Sequence, residues 1–280
     1  MPDCNHPKTQ LLQHNLNPLR QLGQNFLCND DVLYRIAQAV AQHTSHIALE
    51  WGPGLGAFTH HLLTCGLQLH TVERDQRLLP LLQQRFAHPL AQQQLKLHHA
   101  DARTFDIVAL AKQQPTQHIT LCGNLPYNIA SRLLVNTAQL HQHVQAAFYL
   151  VQKEVAQRVC TPHGNKNYGL LSVLVQLHGQ ARILYHVPAT DFWPIPKVDA
   201  AVIQWLPHPK QQQPNINFAS FAKLVRLAFA TRRKKLANTL AALGDMKPAL
   251  NTLGLDNNVR AEQLSVQQFV QLHHMLIKKA

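Results

Sequence analysis

The chain has 280 residues, 46% of them hydrophobic, and no apolar run reaches the ~18 residues of a membrane span, so it reads as a folded soluble protein with ample core rather than a membrane or disordered one. A net charge of +12 points to a polyanionic partner, nucleic acid first, with a basic proteome or a solubility device as the bland alternative. Five scattered cysteines without a Cys-x-x-Cys pair argue against a disulfide framework or a zinc site, and the pairs His60-His61, His98-His99 and His273-His274 lack ligand spacing and read as surface residues, so no metal is expected.

The polar first ten residues show no signal-peptide pattern, which gives a cytoplasmic expectation. Residues 1–19 read as a flexible basic-polar arm. Asn29, Asp30 or Asp31 can cap a helix whose apolar positions Val32, Leu33, Ile36, Ala37 and Val40 share one face. A strand over 46–51 runs into Gly52-Pro53-Gly54-Leu55-Gly56 and a helix over 57–65. A strand over 67–72 ends at Glu73, a helix covers 76–86, and a strand over 95–99 ends near Asp101. A further strand over 118–122 leads into a turn and a helix from about Ala130. Strands and helices alternating at this pitch predict an α/β domain with a mostly parallel sheet covered on both faces. After a strand over 198–206, the proline- and glutamine-rich stretch 207–214 is the best boundary, and the chain beyond it reads as all helix. Phe218, Phe221, Leu224, Val225, Ala228 and Phe229 form one apolar stripe there, and Leu236, Leu240 and Leu243 another. The organisation expected is an arm 1–19, an α/β domain 20–206, a linker 207–217 and a helical domain 218–280.

The ends of parallel strands are where such sheets bind ligands. Gly52 and Gly54 allow close approach of backbone to a ligand, Glu73 suits a bidentate grip on ribose hydroxyls, and Asp101 can accept from an adenine amine. Singly, these are ordinary strand-end residues, and the glycine loop with Glu73 also satisfies a dinucleotide fingerprint. Pro53 inside the loop and the segment Gly123-Asn124-Leu125-Pro126-Tyr127-Asn128-Ile129 shift the reading to S-adenosylmethionine. The Asn124 amide oxygen can accept one hydrogen of an adenine amine and the Leu125 carbonyl the other, which turns the nitrogen lone pair towards an incoming methyl group. Pro126 fixes a backbone dihedral and keeps that carbonyl aimed. Tyr127 can stack on the base, a contact worth roughly 1–3 kcal/mol. An isolated tetrapeptide of this kind would be an ordinary turn after a strand; its company makes it a candidate site.

With these residues in order, the chain resembles the bacterial small-subunit ribosomal RNA adenine dimethyltransferases. The likeness runs along nearly the whole length: Leu22-Gly23-Gln24-Asn25-Phe26-Leu27, Glu50-Trp51-Gly52-Pro53-Gly54, Asp101-Ala102, Gly123 to Ile129, Gln152-Lys153-Glu154-Val155, Tyr168-Gly169-Leu170-Leu171-Ser172-Val173, Phe192-Trp193-Pro194-Ile195-Pro196-Lys197-Val198-Asp199 and Arg232-Arg233-Lys234. The resemblance implies a Rossmann-like methyltransferase domain with a small helical C-terminal domain. It implies transfer of methyl groups from S-adenosylmethionine to two adjacent adenosines in the 3′-terminal hairpin of small-subunit rRNA, two groups to each, in a pre-ribosomal particle, with no membrane or DNA partner. It also implies that Asn25, Leu27, Gly52, Glu73, Asp101 and Asn124 contact the cofactor. Asn124, Leu125, Pro126 and Tyr127 would then hold the base, and Phe192 would close over its other face. Trp51 departs from the Ile or Val more usual there, so the loop entry must accept a larger ring, and Ala200 replaces a usual Ser.

Two other readings share parts of this pattern. A resistance-type methyltransferase acting on large-subunit rRNA adenine has the same Asn-Leu-Pro-Tyr logic, but Leu22 to Leu27 and Tyr168 to Ser172 favour the small subunit. A ribosome-assembly factor acting by binding suits the basic surface, though not an intact cofactor set. Lys223, Arg226, Arg232, Arg233, Lys234 and Lys235 lie on or beside helices whose apolar stripes would pack inward. A solvated face is the plain reading; a polyanionic substrate tilts it to RNA backbone contact.

Overall fold

The structure is a computed structural model that describes residues 6–231 and 233–277. It divides into two compact units, residues 1–156 with 182–207 and residues 157–181 with 208–280.

The first unit opens with α1 (Pro7–Gln13), where the expectation was a flexible arm. His6 caps this helix by accepting from the Lys8 N–H, Pro7 occupies its first turn, and Leu11 is buried with Leu55 and Leu78. A short strand β1 (Phe26–Leu27) precedes α2 (Asp30–Gln42), which Asn29 caps by accepting from the Val32 N–H; the apolar face foreseen for this helix is buried at Leu33, Ile36, Ala37 and Val40. Then come β2 (Ile47–Trp51), α3 (Ala57–Thr64) and β3 (Gln68–Glu73). The single helix expected over 76–86 is replaced by a turn and two short helices, α4 (Leu79–Arg85) and α5 (Ala87–Ala91). The Asp75 carboxylate accepts from both the backbone and the side chain of Arg77, which holds the chain in that turn, and Pro80 fits only a first helical turn. β4 (Leu95–His99), α6 (Ile107–Lys112), β5 (Ile119–Asn124), α7 (Ala130–Gln139) and β6 (Val144–Gln152) come next. After α8 (Lys153–Cys160) and α9 (Leu170–Gln176), strands β7 (Gly179–Val187), β8 (Phe192–Trp193) and β9 (Ala200–Pro207) complete the sheets.

The main sheet has the order β4-β3-β2-β5-β6-β9-β7; the pairs from β4 to β6 are parallel, and β9 runs antiparallel to β6. Every residue of β2 is buried, as a parallel strand covered on both faces requires. The chain builds outward from β2 through β3 to β4, then returns to add β5 on the other flank. This reversal opens a crevice beyond the ends of β2 and β5. The separate pair β1-β8 is antiparallel, with Leu27 opposite Phe192.

The second unit contains α9, α10 (Phe218–Ala228), α11 (Leu236–Thr239), α12 (Lys247–Thr252) and α13 (Val266–Ile277). The first stripe is buried at Phe221, Leu224, Val225 and Ala228, while in the second Leu236 and Leu240 are buried but Leu243 is exposed, because α11 ends at Thr239 and a different turn carries residue 243. Residues 157–181, placed by the sequence in the α/β domain, group here instead: the buried Tyr168 ring meets Phe229, and the Gly164 N–H donates to the Glu262 carbonyl.

The histidine pairs also depart from the surface expectation. His61 is buried against Asp30 at 2.8 Å, His98 stacks on His70, and His273 is buried beside Ser220. In each pair one ring serves packing.

Candidate active site

The loop after β2, the last residue of β3, the residue after β4 and the end of β5 open onto one cavity of about 1020 Å³. Asn25, Leu27, Gly52, Glu73, Asp101, Asn124, Leu125, Pro126 and Tyr127 all line it. Residues spread over a hundred positions of sequence thus meet because parallel strands end on one side of the sheet.

Gly52 has φ +66°, and nothing lies within 4 Å of where its Cβ would stand, so a side chain there would have a strained backbone and occupy open space. Gly54 lines the same cavity but differs: its added Cβ would meet the Phe26 ring at 3.0 Å, so its lack of a side chain also serves packing. Glu73 is buried and braces the loop, accepting from the Gly54 N–H at 3.1 Å and from the Asp75 N–H at 2.7 Å. Burial raises its pKa, and these backbone donors pull it back. A carboxylate has about four acceptor sites, so further donors such as ribose hydroxyls can still be held.

Asp101 is gripped by the Arg103 guanidinium, with Nε at 3.0 Å from both oxygens, and Arg74 lies 3.6 Å away. The Arg103 hydrogen bonds bring its pKa down to about 2, leaving an ionised acceptor at the cavity wall. Asn124 donates its Nδ2 to the Asn25 carbonyl at 2.8 Å. A carbonyl can only accept, so the amide orientation is set by chemistry, and Oδ1 is the group left to accept from a ligand. The Asn128 amide donates in the same way to the Gln21 carbonyl at 3.2 Å. Residues 21–25 are therefore bolted to the Asn-Leu-Pro-Tyr turn. The Tyr127 hydroxyl is buried without a partner among the described residues, and burial pushes its pKa up to about 12.

Phe192 is not brought to this group. It is 2% exposed, lies outside the cavity lining and packs in the core with Leu27 and Leu33, because β8 is held against β1. Trp51 is accommodated below the loop rather than in it: its ring is edge-on to Phe105 and hydrogen bonded to the Tyr149 hydroxyl. Gly123 stands directly against it, with φ +151°, and an added Cβ would lie 2.6 Å from the Trp51 carbonyl oxygen.

Sequence reasoning missed three contributors. Gln24 accepts from the Leu19 N–H and donates to Asp75, stapling the N-terminal segment to the end of β3. Arg103 holds Asp101, for which its position two residues on was the available signal. Glu50, beneath the loop, is 1% exposed, lines the cavity and accepts from the Thr59 hydroxyl at 2.7 Å. Burial first of all, with the Glu73 charge adding and the Thr59 bond opposing, raises its pKa to about 8. Since this folded value lies above the ordinary one, the stability it contributes is complete in acid and is lost as pH rises through about 8.

A parallel sheet reversing at a glycine loop, acids at successive strand ends and an oriented amide at the fourth define a Rossmann-like methyltransferase that alkylates an amine. The chain belongs to the ribosomal RNA adenine dimethylase family, whose pattern matches residues 15–278. It is 37% identical over 261 residues to the ribosomal RNA small subunit methyltransferase A of Shewanella sp. (strain MR-7), covering 93% of this chain and 95% of that one. Its identity to the protein of the same name from Hydrogenovibrio crunogenus is 38% over 261 residues, covering 92% and 96%. In fold it is similar to a dimethyladenosine transferase from Plasmodium falciparum, with TM-score 0.72, 24% identity and coverage of 91% and 98%. The 23S rRNA methyltransferase ErmE gives TM-score 0.66, 21% identity and coverage of 90% and 99%.

Proposed function

We propose that this chain transfers methyl groups from S-adenosylmethionine to the exocyclic amine of two adjacent adenosines in the 3′-terminal hairpin of small-subunit rRNA, within a pre-ribosomal particle in the cytoplasm. The observation that carries the reading is the Asn124 amide: its donor is used by the Asn25 carbonyl, so its acceptor serves the cavity. The names of the relatives support the small subunit over the large.

The residues fit the donor. Gly52 leaves open space for its approach, Glu73 retains acceptor capacity for ribose, and the ionised Asp101 can accept from an adenine amine. S-adenosylmethionine supplies a methyl group already activated by its sulfonium. Asn124 Oδ1 and the Leu125 carbonyl hold the two amine hydrogens of the target base, Pro126 keeps the carbonyl aimed, and Tyr127 stacks on the ring. Positioning is the main contribution of the protein, because the alkylated amine loses its proton readily to water. The target must leave its stack at a cost of a few kcal/mol, which favours a loop adenine over one inside a helix.

Methyl incorporation from labelled S-adenosylmethionine into isolated small and large subunits, followed by mapping of the modified base, tests the proposal. Label on adjacent adenosines of the small subunit is expected. Label confined to the large subunit would mark a resistance-type enzyme, and particle binding without label an assembly factor.

Tyr127→Phe should keep most of the transfer rate and leave the melting temperature equal or slightly raised, because the hydroxyl it removes has no partner. Tyr127→Ala should slow transfer by roughly ten- to a hundredfold, the loss of one stacking contact. Equal damage from Phe and Ala would give the role to the hydroxyl instead.

Lys223, Arg226, Arg233, Lys234 and Lys235 are exposed, and none of them pairs with a carboxylate among the described residues; Arg232 lies outside these. We assign them to the RNA backbone. Replacing Arg233, Lys234 and Lys235 by Gln should lower the slope of log affinity against log salt for small-subunit particles by about 2, without changing which base is methylated. An unchanged slope in a folded variant returns them to a solvated face.

A further inference from the structure

Glu50 has no place in the chemistry above, yet it is the most deeply buried acid in the cavity wall. The groups facing it come from each element packed around it. Thr59 of α3 donates to one carboxyl oxygen. Thr71 of β3 and Cys122 of β5 are its in-register neighbours, and the Thr71 hydroxyl is itself buried without a partner among the described residues. Glu73, two residues beyond Thr71, adds a second acid, while no guanidinium or ammonium group faces Glu50 among the described residues. An acid so placed lacks the cation that would normally stabilise its charged form.

We propose that Glu50 is a specificity-determining residue that releases its proton when a cationic sulfonium donor enters the cavity and recovers it when the neutral thioether remains, so that the site holds the donor in preference to the product. This rests on the assignment of S-adenosylmethionine as the donor. Glu50 gives its proton to water on donor binding, and the carboxylate then faces the positive charge in a wall of low dielectric. During transfer the S–C bond breaks and the N–C bond forms. The amine proton leaves to water and the sulfur becomes neutral. With the sulfonium charge gone and only the ammonium common to both ligands remaining, Glu50 regains a proton from water, and the thioether is bound without the sulfonium interaction.

The raised pKa of Glu50, about 8, places this exchange near neutral pH. Below that value, release of one proton makes donor affinity rise by up to tenfold per pH unit, and above it the affinity levels off. The thioether should show no such rise. Amino-acid and nucleoside portions are common to both ligands, so the difference between them isolates the response to the sulfonium.

Calorimetric titration of the full chain with S-adenosylmethionine and with S-adenosylhomocysteine, at pH 7 in phosphate and in Tris, counts the protons released. About one more proton is expected with the donor than with the thioether. Glu50→Gln, which still accepts from Thr59, should abolish that difference and flatten the pH dependence of the donor-to-product affinity ratio. Thr59→Val removes the hydrogen bond that favours the carboxylate and should move the midpoint of the donor's pH dependence upward; it keeps the test open if Glu50→Gln does not fold. Equal proton release for the two ligands, or a difference that survives in Glu50→Gln, overturns the proposal. Failure of both ligands to bind would instead overturn the cofactor assignment.

Discussion

Asn124→Ala should lower methyl transfer by about 10²–10³, the scale seen when one group holding the reacting centre is removed. The amide does two things at once. Its Nδ2 is fixed by the Asn25 carbonyl, and its Oδ1 is thereby presented to the cavity. Alanine removes both, at a stability cost of only ~1 kcal/mol for the lost hydrogen bond. Asn124→Asp keeps the shape but sets a carboxylate against the Asn25 carbonyl, so it should be no better than Ala. Single-turnover rates alongside thermal melts separate these outcomes. A rate for Asn124→Ala within about twofold of the parent protein would remove the amide from the proposed base-holding set.

Gly123→Ala should be the most destabilising change at the site. Its φ of +151° is strained for any side chain, and the new Cβ would stand 2.6 Å from the Trp51 carbonyl oxygen. That obstacle is backbone in the middle of a parallel sheet, so it cannot rotate away, and a loss of about 3 kcal/mol or more is expected. Gly52→Ala offers the contrast. Nothing lies within 4 Å of its Cβ, so it should remain folded while losing cofactor affinity. Urea midpoints and donor titrations of the two variants should therefore diverge, and a Gly123→Ala midpoint equal to that of the parent would refute the clash.

Much of this was legible in the residues because of one rule: parallel strands buried on both faces read as apolar runs, and their ends carry the polar groups. Gly52, Glu73, Asp101 and Asn124 followed from it, and all four line one cavity. Physical reasons separate out what was not legible. The first crossing between the compact units falls near Ala156, inside α8, where no Gly or Pro breaks the helical pattern. The second falls near Ala181, inside β7, and only the third, after Pro207, carried the proline- and glutamine-rich signal. The polar composition of residues 1–19 hid a helix that depends on a tertiary contact, Leu11 against Leu55 and Leu78. Phe192 was placed by its motif, but strand pairing with Leu27 decides where its ring goes. A buried histidine such as His61 cannot be told from a surface one until Asp30 is known to face it.

The two bolts from the Asn-Leu-Pro-Tyr turn to residues 21–25 span 99 and 107 positions of sequence. Loop-closure entropy disfavours contacts at such separation until the intervening strands have paired. Asn124 is thus expected to gain its orientation late, once β2 through β5 are in register, which would make the methyl-transfer geometry among the last parts of the first unit to be assembled. A partly folded chain could carry every side chain of the site and still have no directed acceptor for an amine, so competence to react reports completion of the fold.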